Sequence, residues 1–169
     1  TMTANGVFAM SAVTALTAQN TTGVKSVLES TPEFLAEQLD CVFTDIFPDA
    51  VKTGMVSSVA LIEVIAQKLT AYHARNLVVD PVMGDHGKPY RTYTPELCGR
   101  MRDLAAQADV ITPNLTEAAL LLEEDYADLP RDEEGLRAWL ERLSLDGRRS
   151  VVLTGVSLRP GAIGAGCFL

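Results

Sequence analysis

Five places in this 169-residue chain put polar side chains where short apolar segments end. They are Gln19 with Asn20, Thr53 to Met55, Asp80, Asn114 with Glu117, and Thr154 with Gly155. Asp80 follows the apolar run 77–79 and precedes Pro81. A carboxylate there can hold Mg²⁺, usually through water, beside a phosphate chain. It can equally be a turn aspartate before proline. Asn114 and Glu117 stand at N-cap and N3 spacing, which by itself favours a capping box. The other reading puts Glu117 at a metal or phosphate site on a helix N-terminus. A carboxylate that reaches back to cap its helix is already occupied, so one residue does not easily do both.

Other candidates carry less. Residues 84–90, Gly-Asp-His-Gly-Lys-Pro-Tyr, are long and polar. On their own they read as a solvated loop, with a lid that excludes water as the alternative. His86 has no nameable partner, and Lys52 and His73 read as surface residues. Trp139 recurs at helical spacing with Leu136, Leu140 and Leu143 and reads as core. Cys167 lies in an apolar stretch with no cation or base in view, so packing is favoured over a nucleophile. No GxxxxGK[ST] and no GxGxxG after a strand occurs, which disfavours P-loop and Rossmann dinucleotide sites.

These residues need a scaffold, and the chain alternates strand and helix signals. Thr31-Pro32-Glu33 and Thr94-Pro95-Glu96 each combine a Thr N-cap, Pro at N1 and an acid in the first turn. Ser57 or Ser58, Asn114 and Asp132 start three further helices. Short apolar strands are expected at 50–56, 77–79, 109–112 and 150–154, with 162–169 antiparallel to the last. Residues 7–18 read as a buried strand running into a loop, and 1–6 as the tail of a helix with Asn5 or Gly6 just past its end. The repeated strand–helix order predicts an α/β fold: one domain over 1–169, a mostly parallel sheet with helices on both faces. In such sheets ligands sit beyond the carboxyl ends of the strands, where the five polar places fall. Both ends of the chain read as cut.

Composition bounds the rest. With 14 Lys plus Arg against 22 Asp plus Glu, the net charge is −8. Nucleic acid and anionic membranes are therefore poor partners. No apolar run approaches the ~18 residues of a membrane span. The apolar stretch 6–16 lacks a basic lead and is not read as a signal peptide. Cys41, Cys98 and Cys167 have no zinc spacing and read as reduced thiols of a cytoplasmic protein, two or three of them packed in the core.

Several strings together resemble a known family. Residues 10–24 (Met-Ser-Ala-Val-Thr-Ala-Leu-Thr-Ala-Gln-Asn-Thr-Thr-Gly-Val), 50–55 (Ala-Val-Lys-Thr-Gly-Met) and 79–83 (Val-Asp-Pro-Val-Met) resemble hydroxymethylpyrimidine (phosphate) kinases of thiamine biosynthesis. Residues 84–90, 108–118 (Ala-Asp-Val-Ile-Thr-Pro-Asn-Leu-Thr-Glu-Ala) and 151–155 (Val-Val-Leu-Thr-Gly) look more like pyridoxal or pyridoxine kinases. Both groups are ribokinase-like, and the resemblance covers nearly the whole chain.

The resemblance implies a small-molecule kinase that uses ATP and Mg²⁺ to phosphorylate a hydroxymethyl group on a heteroaromatic ring. Carried over by motif, Gln19 would hydrogen-bond the ring's polar edge, and Met55 and Val82 would be its apolar walls. Asp80, Asn114 and Glu117 would lie near the phosphates, with Asp80 and Glu117 at Mg²⁺, and Thr154 near the nucleotide phosphates. The segment from Gly84 would be the lid. The chemistry is compatible, because phosphoryl transfer needs positioning and charge neutralisation above all. The family's first strand and Ser/Gly-rich substrate loop are expected before residue 1. Its Gly-Thr-Gly-Asp motif, with the oxyanion-hole backbone and the catalytic Asp, is expected beyond Leu169. Residues 1–169 alone are thus expected to be inert, and sustained ATP turnover with pyridoxal by this chain would refute that. A non-catalytic ligand-binding domain or inactive remnant is the alternative. Dimers are common in the resembled family, so a homodimer is admitted.

Overall fold

Helix starts follow the chemistry of their first residues. The computed structural model describes residues 2–169. At Thr31, Thr94, Asn114 and Asp132 the N-cap oxygen accepts the N–H of Phe34, Leu97, Glu117 and Gly135. These caps open α1 (Pro32–Asp45), α3 (Pro95–Ala105), α4 (Leu115–Leu122) and α5 (Glu133–Leu143). Each satisfies one of the donors a helix start leaves orphaned. The start of α2 (Val59–Ala71) departs from this: Ser58 occupies its N-cap without a side-chain bond.

The central sheet has the order β3 (Val51–Thr53), β4 (Leu77–Val79), β7 (Val110–Ile111), β8 (Ser150–Val156), β9 (Gly164–Phe168). The first four are mutually parallel and β9 is antiparallel to β8. The α/β, mostly parallel architecture expected from the sequence is the one observed. Alternation within the strands sends Leu77, Val79, Ile111, Val151 and Leu153 into the core, while Val78, Val110 and Val152 are half-buried. Consecutive helices pack on one another from α1 to α5. Between α1 and α2, the Phe43 and Tyr72 rings stack at 4.7 Å. Beside them Asp40 takes Lys68 Nζ at 2.6 Å and Tyr72 Oη at 2.8 Å. The Lys68 hydrogen bond holds the Asp40 carboxyl below its usual range.

Three expectations are corrected. Residues 7–18 are not a buried strand of this sheet: β1 spans Ala15–Asn20 and forms a separate antiparallel hairpin with β2, Gly23–Glu29. A strand's first available partner is the segment that follows its turn, and no strand had been expected at 23–29. Both strands are largely exposed, with Leu16 and Leu28 paired on the surface. Residues 3–5 are a single 3₁₀ turn, closed by Gly6 in the left-handed region; Thr1 lies outside the described residues. Of the three thiols only Cys98 is buried. Trp139 is in the core as expected.

Candidate active site

Parallel register brings the strand carboxyl ends into line. Thr53 pairs with Val79, Val79 with Ile111, and Ile111 with Val151. One step further on, Asp80 N–H donates to Thr53 O at 3.3 Å and Thr112 N–H to Val79 O at 3.1 Å. Thr154 N–H donates to Pro113 O at 2.8 Å, and Asn114 and Thr154 form a parallel bridge. Asp80, Asn114 and Thr154 therefore stand side by side along one edge, with Thr53 at its β3 end. This is the part of an open α/β sheet where ligands bind.

Asp80 is not simply a turn aspartate. Lys52, at the surface as expected, reaches the neighbouring strand to put Nζ 2.9 Å from Asp80 Oδ2. The Asp80 carboxylate remains about one-third exposed. Glu117 is 3 % exposed, and each of its oxygens accepts a backbone N–H: Oε2 that of Asn114 at 2.8 Å, Oε1 that of Met83 at 3.2 Å. The capping box is complete, with Asn114 Oδ1 accepting Glu117 N–H at 2.9 Å. Burial pushes the Glu117 carboxyl up to about 7. The two N–H donors oppose the rise, and the charges of Asp80 and Asp85 add to it. Partial desolvation and the charges of Asp85, Glu117 and Asp80 raise Tyr90 above its ordinary range.

Residues 84–90 are mostly exposed, as a solvated segment would be, but they are not irregular. β5 (Gly84–Asp85) and β6 (Lys88–Pro89) form a tight hairpin tied to the start of α4. Asn114 Nδ2 donates to Gly84 O at 2.9 Å, and Gly87 N–H donates to Thr116 Oγ1 at 2.9 Å. Val82, half-buried, lies between Asp80 and this hairpin, its N–H on Asp80 O at 2.9 Å. Met55 is partly exposed beyond β3, and its carbonyl accepts Thr14 Oγ1 at 2.8 Å. Gln19 is exposed on β1, five residues past that contact. Among the described residues no hydrogen bond ties Gln19 to the strand ends. Thr53 Oγ1 and Ser57 Oγ are buried without a partner on either side of the Gly54–Met55 turn.

Among the described residues no group of three His, Cys, Asp or Glu side chains forms a ready metal cage. Mg²⁺ does not require one, since it keeps waters and takes one or two carboxylates plus substrate phosphates. Asp80, about one-third exposed at the strand ends, fits that mode. Glu117, closed in and doubly occupied, fits it only through its charge.

Comparison with known proteins decides the relationship. The family model described as phosphomethylpyrimidine kinase matches residues 1–163. The chain belongs to the phosphomethylpyrimidine kinase family. A hydroxymethylpyrimidine/phosphomethylpyrimidine kinase of Salmonella typhimurium is 40% identical over 156 residues, 92% of this chain and 57% of that protein. The phosphomethylpyrimidine kinase structure from Clostridium difficile superposes with a TM-score of 0.86 at 33% identity, over 99% of this chain and 70% of that one. The Staphylococcus aureus pyridoxal kinase in complex with AMP-PCP and pyridoxal gives a TM-score of 0.73 at 26% identity, over 91% and 53%. The chain thus spans about half the length of the curated relatives it matches. Among the described residues no helix is long and apolar enough to cross a membrane.

Lys52, Thr116 and Asp85 are the site residues that sequence reading missed. Lys52 could have been found from register: it pairs with Val78, two residues before Asp80. Thr116 is the middle residue of a recognised helix start, where the cap drew all the attention.

Proposed function

We propose that this chain forms much of the site of a kinase that transfers the γ-phosphoryl group of ATP to a ring hydroxymethyl group. The acceptor class is hydroxymethylpyrimidine or its phosphate, or pyridoxal and pyridoxine. The observation that carries the reading is the row of Asp80, Asn114 with Glu117, and Thr154 on adjacent strand ends, in a member of this family. The AMP-PCP and pyridoxal held by the Staphylococcus aureus relative support both halves of the substrate pair.

In this reading Thr154, whose hydroxyl donates to Pro113 O at 3.3 Å, and the start of α4 face the nucleotide phosphates, because the positive end of a helix suits an anion. Asp80 would hold Mg²⁺, and Lys52, with Nζ 2.9 Å from Asp80 Oδ2, fixes that carboxylate's direction. Glu117 orients Asn114 and the chain at Met83 and adds negative charge. Bound Mg²⁺ supplies charge neutralisation between phosphate oxygens. Met55 and Val82 wall a flat ring, and Gln19 offers an amide that both donates and accepts. The acceptor oxygen forms the new bond to phosphorus as the bond to the bridging oxygen of ADP breaks, and the hydroxyl proton leaves to a base. The exposed Leu16, Val24, Val27 and Leu28 of the β1–β2 hairpin give a homodimer a surface, which sedimentation can check.

Calorimetric titration with AMP-PCP plus Mg²⁺, then with pyridoxal, tests the site. Both should bind, and Asp80→Asn should weaken the nucleotide while leaving the ring unaffected. A chain that binds neither, or an Asp80→Asn variant that binds nucleotide unchanged, would refute the assignment.

A further inference from the structure

The β5–β6 hairpin contains two residue pairs, Gly84 with Pro89 and Asp85 with Lys88. A hairpin that short does not hold its own shape in water. Its turn also places a non-glycine residue in the left-handed region, with φ of +49° at His86 and +77° at Gly87. That is the two-residue turn whose twist suits a hairpin, and at His86 it carries strain. Something outside the hairpin must therefore hold it.

The first turn of α4 does so at three points. Glu117 Oε1 accepts Met83 N–H, Asn114 Nδ2 donates to Gly84 O, and Thr116 Oγ1 accepts Gly87 N–H. Each side chain takes a different backbone group. The contacts thus fix both where the hairpin starts and where its tip lies. Thr116 is buried, and its hydroxyl oxygen serves the tip as an acceptor. A fourth contact seats the tip: the Tyr126 ring lies so close to Gly87 that a Cβ there would come within 2.6 Å of it. No other side chain fits between.

We propose that the first turn of α4 is a latch that fixes the hairpin over the strand ends, with Thr116 in that turn and Tyr126, from the 3₁₀ turn Tyr126–Asp128 that follows α4, as positioning residues. Docked in this way, the hairpin carries Asp85, whose carboxylate faces His86, beside the strand ends, so the latch sets where that charge stands relative to a Mg²⁺–nucleotide complex. This last consequence rests on the kinase reading; the latch itself does not.

Amide hydrogen exchange on the ligand-free chain tests the latch, with Thr116→Val and Tyr126→Ala as the perturbations. Thr116→Val keeps the shape of the side chain and removes the acceptor. Exchange at Gly87 and along 84–89 should rise about fivefold, the factor one ordinary hydrogen bond is worth. Tyr126→Ala should raise it as well, and Thr116→Ser should restore the wild-type rate. The amides of α2 should not change in any variant. Unchanged exchange at Gly87 in Thr116→Val overturns the latch. So does equal acceleration in α2, which marks general destabilisation. The second readout is affinity for AMP-PCP with Mg²⁺, expected to fall several-fold in Thr116→Val and to recover in Thr116→Ser. If exchange responds while this affinity does not, the positioning role is overturned. If the wild-type chain does not bind AMP-PCP at all, the kinase reading fails and the exchange result stands.

Discussion

Replacing Glu117 by glutamine keeps the size of the side chain and removes its charge from a closed site. The carboxyl is shifted from 4.5 to about 7, chiefly by burial. Because the folded pKa is raised, the folded state holds this proton more tightly than the unfolded one. The stability linked to it is fully present below about pH 4.5 and is lost as pH rises through about 7. The rise from 4.5 to about 7 corresponds to about 3 kcal/mol, at about 1.36 kcal/mol for each tenfold change in proton affinity. Some of that is already gone at about pH 5, which leaves about 2–3 kcal/mol to be lost between about pH 5 and about pH 8. Glutamine cannot titrate, and it strands one of the two N–H groups now held by the carboxylate. That cost of about 1–3 kcal/mol varies little with pH. Urea denaturation of both proteins at the two pH values, in magnesium-free buffer, gives the double difference. The wild type should lose about 2–3 kcal/mol relative to Glu117→Gln on going to the higher pH. An equal difference at both pH values, or a relative gain by the wild type, would refute the claim that burial governs this carboxylate.

Three further outcomes follow from the same geometry. Asn114→Ala removes the N-cap of α4 and the donor to Gly84 O, and should lower stability by about 1–2 kcal/mol in urea titration. Gly84→Ala would bring a Cβ within 2.5 Å of the backbone oxygen of Lys88, so the hairpin must open. Its amides should lose exchange protection while those of α3 keep theirs. Trp139→Ala empties a buried site and should cost about 3–5 kcal/mol, read as a fall in the denaturation midpoint.

What the sequence could disclose depended on how local the physics was. Caps at Thr31, Thr94, Asn114 and Asp132 are decided within four residues, and all four form as read. The short strands at 77–79 and 110–111 were legible because apolar runs bounded by polar turns have few other fates in an alternating chain. The row of strand-end residues was legible too, because parallel topology places them together. The stretch 7–18 departs from its expected burial because burial is a property of neighbours: an apolar run does not show whether anything covers it, and among the described residues β1 pairs with β2 alone. The Lys52–Asp80 pair and the Thr116–Gly87 bond span 28 and 29 residues and depend on register and on a hairpin's docking. No local spacing encodes either.

The central claim is that these strand ends serve phosphoryl transfer to a ring alcohol. The most direct measurement incubates the intact polypeptide that carries these residues with ATP and Mg²⁺. Hydroxymethylpyrimidine, its phosphate, and pyridoxal are supplied in turn, and the products are identified by mass. The account predicts at least one ring compound gaining a single phosphoryl group on its hydroxymethyl oxygen, with Asp80→Asn abolishing the gain. Binding of ATP and ring compound without any phosphorylated product would contradict it, and would leave these strand ends as a ligand-binding site alone.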